Sequence, residues 1–416
     1  MTKRFCVVAL LALALAGPTV SAVMPTVKPE DVGFSSERLR RVTDLLQRHI
    51  AAGGAAGAVT LVARHGRIAY FEALGVEDLE SRKPMQKDTI FRIMSMTKPV
   101  VAASILAMIE EGKVRLTDPV SRFIPELKEL KVAVPRDGGG ADAPFDTVPA
   151  AREITVRDLL THTSGLVSGP MSTGEARKVA LTGRETLADY LPRLARVPLE
   201  FQPGTRWAYS PQAGFDVLAR IVEITSGQSF DCFTRERIFA PLAMTDTFFY
   251  PADGNARIAT LYDGSPTSLQ KGVLPRFMNG AYFSGGGGLM STAEDYLQFA
   301  QMLLNGGELD GRRLLSPASV ERMSAVVTPD TLPGRPRGEA YGLGVRVIDD
   351  PVAFNSFLSK GTYGWSGAFG THFWIDPKEK IVAVLMTHTP NAPLRRDWEN
   401  AVMHALIGGG AVRATN

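Results

Sequence analysis

The sequence predicts a mixed fold of the α/β (α+β) class. An antiparallel sheet is built from N- and C-terminal strands and flanked by helices, with a mainly helical domain inserted between. Three observations predict it. Alternating stretches with tight turns lie near both ends, in "GAVTLVARHGRIAYFEALG" and "THFWIDPKEKIVAVLMTH". Helical periodicity fills the middle. The 416 residues are 45% hydrophobic and 21% charged, ample material for a large core without a disulfide scaffold. Residues 23–118 and 282–416 are assigned to a discontinuous α/β domain and 119–281 to the mainly helical domain.

Each element has its own signal. "SSERLRRVTDLLQRHI" reads as a helix with Ser35 or Ser36 as its cap. The first hairpin turns at His65-Gly66. Pro99 to Ile109 is apolar nearly all round, the mark of a buried helix, and Gly112 is placed to end it. Residues 128–153 are rich in Pro and Gly and aperiodic, and read as a surface loop. "TVRDLLTH" resumes a short helix capped by Thr155 with Asp158. "PQAGFDVLARIVEITSG" ends a strong helix at Gly227. "STAEDYLQFAQMLLNGG" offers a capping box of Ser291 with Glu294. The second hairpin turns at Pro377 to Lys380, and "DWENAVMHALI" closes the chain as a helix.

Charge and cysteine usage narrow the class. The net charge is +3, and no basic block of five or more occurs, so nucleic acid is not an expected partner. Residues 1–22 read as a secretory signal: a basic "MTKRF", an apolar "CVVALLALALAG" too short to span a bilayer, and "VSA" before a cut after Ala22. The expectation is an exported protein, in a bacterial periplasm, with no stable membrane insertion once the signal is removed. Removal of the signal leaves Cys232 alone, which reads as a small buried hydrophobe.

The chemistry concentrates in "TIFRIMSMTKPVVAASILAMIEEGK". Ser95 and Lys98 stand three apart at the start of the most apolar helix, a spacing that puts both on one face. A desolvated lysine beside a hydroxyl can serve as general base, and free N–H groups at a helix start can stabilise an oxyanion. Lysine is unfavourable at a helix N-terminus, where the dipole is positive. A second Ser-x-x-Lys, Ser268 with Lys271, lies in a Gly/Pro/Ser-rich loop with no helix pattern after it. Context therefore selects Ser95.

Two further stretches join it. "LEFQPGTRWAYSPQAGFDVLARIVE" puts Tyr209 between a Pro-Gly turn and a helix, and "YGWSGAFGTHFWIDP" puts Trp365-Ser366-Gly367 before a strand. With Ser95 and Lys98, these resemble in order and spacing the three motifs of the serine β-lactamase and penicillin-binding-protein superfamily. "LLTHTSGL" and "FSGGGGLMSTAEDYLQFAQMLLNGG" resemble common stretches of it, and the resemblance spans the mature chain. It implies a β-lactamase/transpeptidase-like fold. Class C β-lactamases carry Tyr-x-Asn at the second motif, where this chain has Tyr209-Ser210-Pro211. They carry Lys-Thr-Gly at the third, where it has Trp365-Ser366-Gly367. The tryptophan resembles the family VIII carboxylesterases.

That resemblance implies roles. Ser95 is the nucleophile, Lys98 and Tyr209 share base and acid work, and the N–H groups of Ser95 and Ala368 form the oxyanion hole. Trp365, with Ser366 and Gly367, lines the acyl or alcohol pocket. The implied function is a serine carboxylesterase acting on short- to medium-chain esters, with a small-molecule ester as partner and no cofactor. The rivals are a β-lactamase, a D-amino-acid peptidase or amidase, an acyltransferase, and a binding or sensor protein without turnover, which would predict a broken Ser-Lys-Tyr set where all three are present. The missing third-motif lysine leaves no expected cation for a substrate carboxylate. The six histidines have no metal-type spacing, so no metal is expected. His162 in "THTSG" is expected to make structural hydrogen bonds, Trp207 to pack in the core, and Gly285 to Gly288 to permit close backbone packing.

Overall fold

The computed structural model describes residues 24–136, 144–251, 255–265, 268–275 and 280–408. The expected signal segment, 1–22, lies outside the described residues. Eight strands form the main sheet: β1 (Gly57–Arg64), β2 (Arg67–Asp78), β3 (Lys83–Pro84), β4 (Glu339–Tyr341), β5 (Arg346–Ile348), β6 (Tyr363–Ser366), β7 (His372–Asp376) and β8 (Ile381–Thr387). Their order is β4-β5-β6-β7-β8-β1-β2-β3, and each neighbouring pair is antiparallel. The expected sheet from both ends of the chain is therefore present, joined where Ala58 faces Thr387.

Both faces of this sheet are covered, so its central strands are apolar on both sides. In β8, Ile381, Ala383 and Leu385 pack with helices α1 (Ser36–Ala51) and α5 (Ala392–His404). Val382, Val384 and Met386 point to the opposite face, into the larger core. That core is organised by α2 (Thr97–Glu110), α3 (Ala213–Ser226) and α4 (Ala293–Leu304). Every residue of α2 from Thr97 to Leu106 is buried, as its all-round apolar sequence requires. Ser35 caps α1 by accepting from the Arg38 amide, and Gly227 ends α3 in the left-handed conformation. Thr155 and Asp158 cap each other reciprocally.

Three local expectations need correction. Residues 128–153 are not simply a loop: Lys131–Pro135 pairs antiparallel with Phe145–Pro149. The alternation in "KVAVP" is short, and its anchor is distant, since Lys131 and Ala133 exchange backbone hydrogen bonds with Leu199. The cap of α4 is Thr292, which accepts from the Asp295 amide, not Ser291 with Glu294. "STAED" offers two capping registers one residue apart, and Ser291 is held in a strand that pairs with Phe91. Ser268–Lys271 forms a strand beside Tyr262–Ser265 instead of a loop.

Gly285 to Gly288 permit the close packing expected of them. A Cβ on Gly285 would collide with the Phe215 carbonyl of α3, and one on Gly286 would lie 2.6 Å from the Gln212 Cα. Gly285→Ala should therefore cost roughly 1–3 kcal/mol through overpacking. Thermal unfolding measures it, and an unchanged Tm would show that α3 can withdraw from this loop.

Candidate active site

Ser95 sits in a short 3-10 turn, Met94–Met96, that leads into α2. Two devices present it. Met94 holds a left-handed φ of 47°, a conformation costly for a residue with a Cβ. One turn earlier, the Arg92 amide donates to His388 Nε2 at 2.8 Å, while His388 Nδ1–H donates to the Ala259 carbonyl. Burial holds that ring neutral, with its pKa down at about 3.

The side chains of Lys98 and Tyr209 converge on the serine. Lys98 is 1% exposed, with Nζ 3.0 Å from Ser95 Oγ. The same nitrogen donates to the carbonyls of Pro211 at 2.6 Å and Gly286 at 2.7 Å. Two of its hydrogens thus have fixed acceptors, and its third position faces Ser95. The Tyr209 hydroxyl lies 2.8 Å from Ser95 Oγ on the other side. Gly286 is itself anchored: its amide, with Tyr282 and Ser284, donates to the buried Asp216. Burial raises the Asp216 pKa while these donors oppose the rise.

A cavity of about 370 Å³ opens over Ser95. Ser366, Gly367 and Ala368 form one edge with Trp365 beside them, so the structure gathers every site residue expected from the sequence. Ala368 and Ser95 face the same cavity, where an amide from each could meet one oxygen. Trp207, expected to pack in the core, does pack against it but is only partly buried, because it also lines this cavity and stacks on Tyr341 at 4.4 Å. The stretch before α3 is not part of a strand, so no strand alternation sends the ring fully inward.

The sequence reading missed the polar half of the cavity: Glu339, Tyr341, Arg346 and Arg395. Arg346 bonds Glu399 at 3.1 Å, and Glu399 lies 2.8 Å from His372 Nε2. His372 Nδ1 lies 2.9 Å from Ser366 Oγ, which accepts from Arg395 Nη1 at 2.8 Å. With Glu399 ionised and the ring neutral, Nε2–H donates to Glu399 and Nδ1 accepts from the Ser366 hydroxyl, with the Trp365 carbonyl oxygen 3.0 Å from the same nitrogen. Burial brings His372 down to about 4, while Glu399 stays near 2 because Arg346 and His372 outweigh its own burial. Among the described residues, no carboxylate lies within 4 Å of the Arg395 guanidinium. Position 365 carries no cation, but Arg395 from α5 brings one to the edge of the same cavity. The only sequence signal was the i,i+4 spacing of Arg395 and Glu399.

The model of the family described as "Beta-lactamase" matches residues 42–406. The chain belongs to the beta-lactamase family. It is a serine hydrolase of that superfamily, with the β-lactamase/transpeptidase-like fold. It is 39% identical to Protein Rv1367c of Mycobacterium tuberculosis over 361 residues, 82% of this chain and 88% of that one. It is 32% identical to Esterase EstB of Burkholderia gladioli over 403 residues, 89% and 95% of the two chains. Among solved structures it resembles EstCE1, described as a hydrolase with promiscuous acyltransferase activity. The TM-score is 0.73 with 28% identity, covering 89% of this chain and 98% of that one.

The neutral His372 makes a pH prediction for this beta-lactamase-family chain. Between pH 6.5 and about 4 the unfolded ring binds a proton that the folded ring refuses, so stability falls as pH falls through that window. Asp295, raised to about 6 by burial, works in the opposite sense, so a single-site comparison is needed. The urea midpoint should decline less between pH 6.5 and 4.5 in His372→Gln than in the wild type. Parallel declines would contradict the assignment.

Proposed function

We propose that the chain hydrolyses short- to medium-chain carboxylic esters through an acyl-enzyme on Ser95. The observation that carries this reading is the placement of Ser95 Oγ between Lys98 Nζ and the Tyr209 hydroxyl, at 3.0 and 2.8 Å. Lys98, with two N–H groups already given to carbonyls, takes the Ser95 proton on its remaining position as Oγ attacks the ester carbonyl. The carbonyl oxygen becomes an oxyanion beside the amides of Ser95 and Ala368. As the C–O bond breaks, Tyr209 protonates the departing alcohol and recovers a proton from Lys98. Water then attacks the acyl-enzyme and gives its proton to the same pair, releasing acid and free Ser95. An alcohol in place of that water gives acyl transfer. The aromatic wall of Trp207, Tyr341 and Trp365 favours apolar substituents. Residues 1–22 support export, and the proposed workplace is the periplasm.

The test is labelling followed by kinetics. A phosphonate ester should modify the protein once, on the peptide holding Ser95, and Tyr209→Phe should lower kcat by about 10² to 10⁴. For p-nitrophenyl butyrate, kcat/KM should exceed that for nitrocefin. Labelling elsewhere, or a preference for nitrocefin, would overturn the esterase reading.

Arg395 favours a second reading, in which the ester or amide carries a carboxylate on the Ser366 side. A charge-assisted hydrogen bond contributes about 1.5–3 kcal/mol, or about ten- to hundredfold in kcat/KM. Arg395→Ala should lose that much on a p-nitrophenyl monoester of a dicarboxylic acid and far less on p-nitrophenyl butyrate. Equal losses on both would return the site to neutral esters alone.

A further inference from the structure

We infer that His162 is a positioning residue for Tyr209, gripping the peptide on both sides of it so that the phenol stays on Ser95. This rests on the reading of Tyr209 as a proton carrier. Tyr209 lies between the Pro203-Gly204 turn and α3, in a stretch without helix or strand. Regular structure therefore does not fix its backbone. His162 does so at two points. Its carbonyl accepts from the Ala208 amide at 3.1 Å, and its Nδ1 accepts from the Ser210 amide at 3.3 Å. Ser210 is tied further to the same segment, since its hydroxyl donates to the Leu166 carbonyl at 2.8 Å. The residues on either side of Tyr209 are thus both bound to 162–166.

The ring completes the grip. It lies 4.8 Å from the Tyr209 ring, 5.3 Å from Phe215 and 5.8 Å from Trp365, on which it stacks. His162 is 2% exposed, and among the described residues its Nε2 has no hydrogen-bond partner. The chemistry then fixes the tautomer. Nδ1 must keep its lone pair to accept an amide, so the hydrogen sits on Nε2, facing aromatic rings. A doubly protonated ring would have no acceptor at Nδ1 and would push the Ser210 amide away. Burial keeps the ring neutral into acid, well below the ordinary histidine range. Neither nitrogen reaches Ser95, so His162 does not exchange its proton. The backbone supports a selected role as well. His162 takes a φ of 57°, which favours His, Asn or Asp over a plain apolar residue.

The acceptor and the ring can be separated. Asn at 162 tolerates the φ and puts its amide oxygen where Nδ1 stands, two bonds from Cβ. Phe keeps the ring volume but loses both the acceptor and the tolerance for this φ, so His162→Gly, which keeps the φ and lacks the acceptor, should be as slow as Phe. With p-nitrophenyl butyrate, His162→Phe should lower kcat about 10- to 100-fold, as expected for a displaced catalytic group, with KM changed less than about threefold. His162→Asn should recover at least about tenfold of that loss. The double variant His162→Phe/Tyr209→Phe should be no slower than Tyr209→Phe alone. Additive losses, or Asn as slow as Phe, would overturn the inference. If Tyr209→Phe is slow and His162→Phe runs at the wild-type rate, only this inference falls. If Tyr209→Phe itself is near normal, the reading of Tyr209 falls and this falls with it. Nitrogen NMR of the wild type tests the grip without a variant. The His162 ring should carry one proton, on Nε2, from pH 8 to pH 5. A ring protonated on Nδ1 at pH 7 would overturn it even where a variant fails to fold.

Discussion

A buried amine must find an oxygen for each of its hydrogens, and that requirement at Lys98 organises the centre of the molecule. Its partners are the carbonyls of Pro211 and Gly286 and the hydroxyl of Ser95. These come from three widely separated stretches of chain. Pro211 must stand just before α3, Gly286 must press against α3, and the glycines allow that approach. Asp216, one turn into α3, holds the Gly286 amide from beneath. The lysine therefore sits inside a cage whose walls are the same elements that carry Tyr209 and the floor of the cavity. Breaking the cage would leave an unpaired nitrogen in the core, so the site is coupled to the packing of the whole helical layer.

The cavity divides by chemistry. One wall is aromatic and neutral, with Trp207 stacked on Tyr341 and Trp365 edge-on to Tyr341 at 5.5 Å. The other is a chain of polar contacts from Arg395 through Ser366 and His372 to Glu399 and Arg346. Its links are made from Arg395 to Arg346, while the buried Nε of each terminal arginine has no hydrogen-bond partner among the described residues. Burying Glu399 is tolerable because Arg346 and His372 both face it. Arg395 keeps its unshared charge at the cavity edge, where solvent still reaches it. The two walls thus come from β4, β5, β6, α5 and the loop before α3, while Ser95 and Lys98 stand at the start of α2 and Tyr209 in that same loop.

What the sequence made legible follows from range. Hairpins at His65-Gly66 and Pro377 to Lys380, the buried helix after Ser95 and the cap at Thr155 are local features, each encoded in neighbouring residues. Ser95, Lys98 and Tyr209 were legible because a motif order carried them, although a tyrosine in a loop says nothing by itself. Arg395 was not legible, because an arginine on an amphipathic helix usually faces solvent. Its relation to Ser366 exists only once α5 lies across the sheet. The strand pairing of Lys131–Pro135 was hidden for the same reason, since its support is Leu199. His162 was assigned structural hydrogen bonds correctly in kind, but which amides it holds depends on a segment more than forty residues away.

The pairing of β1 with β8 has a consequence for the order of events in synthesis. The first long strand waits for nearly the last one, and the intervening chain must be made before the sheet can close. Until then the edge of β1 that pairs with β8 is open, and the strand that is buried along its whole length in the folded protein lacks one neighbour. The long strand nearest the N-terminus therefore gains its second neighbour only once residue 387 has been made.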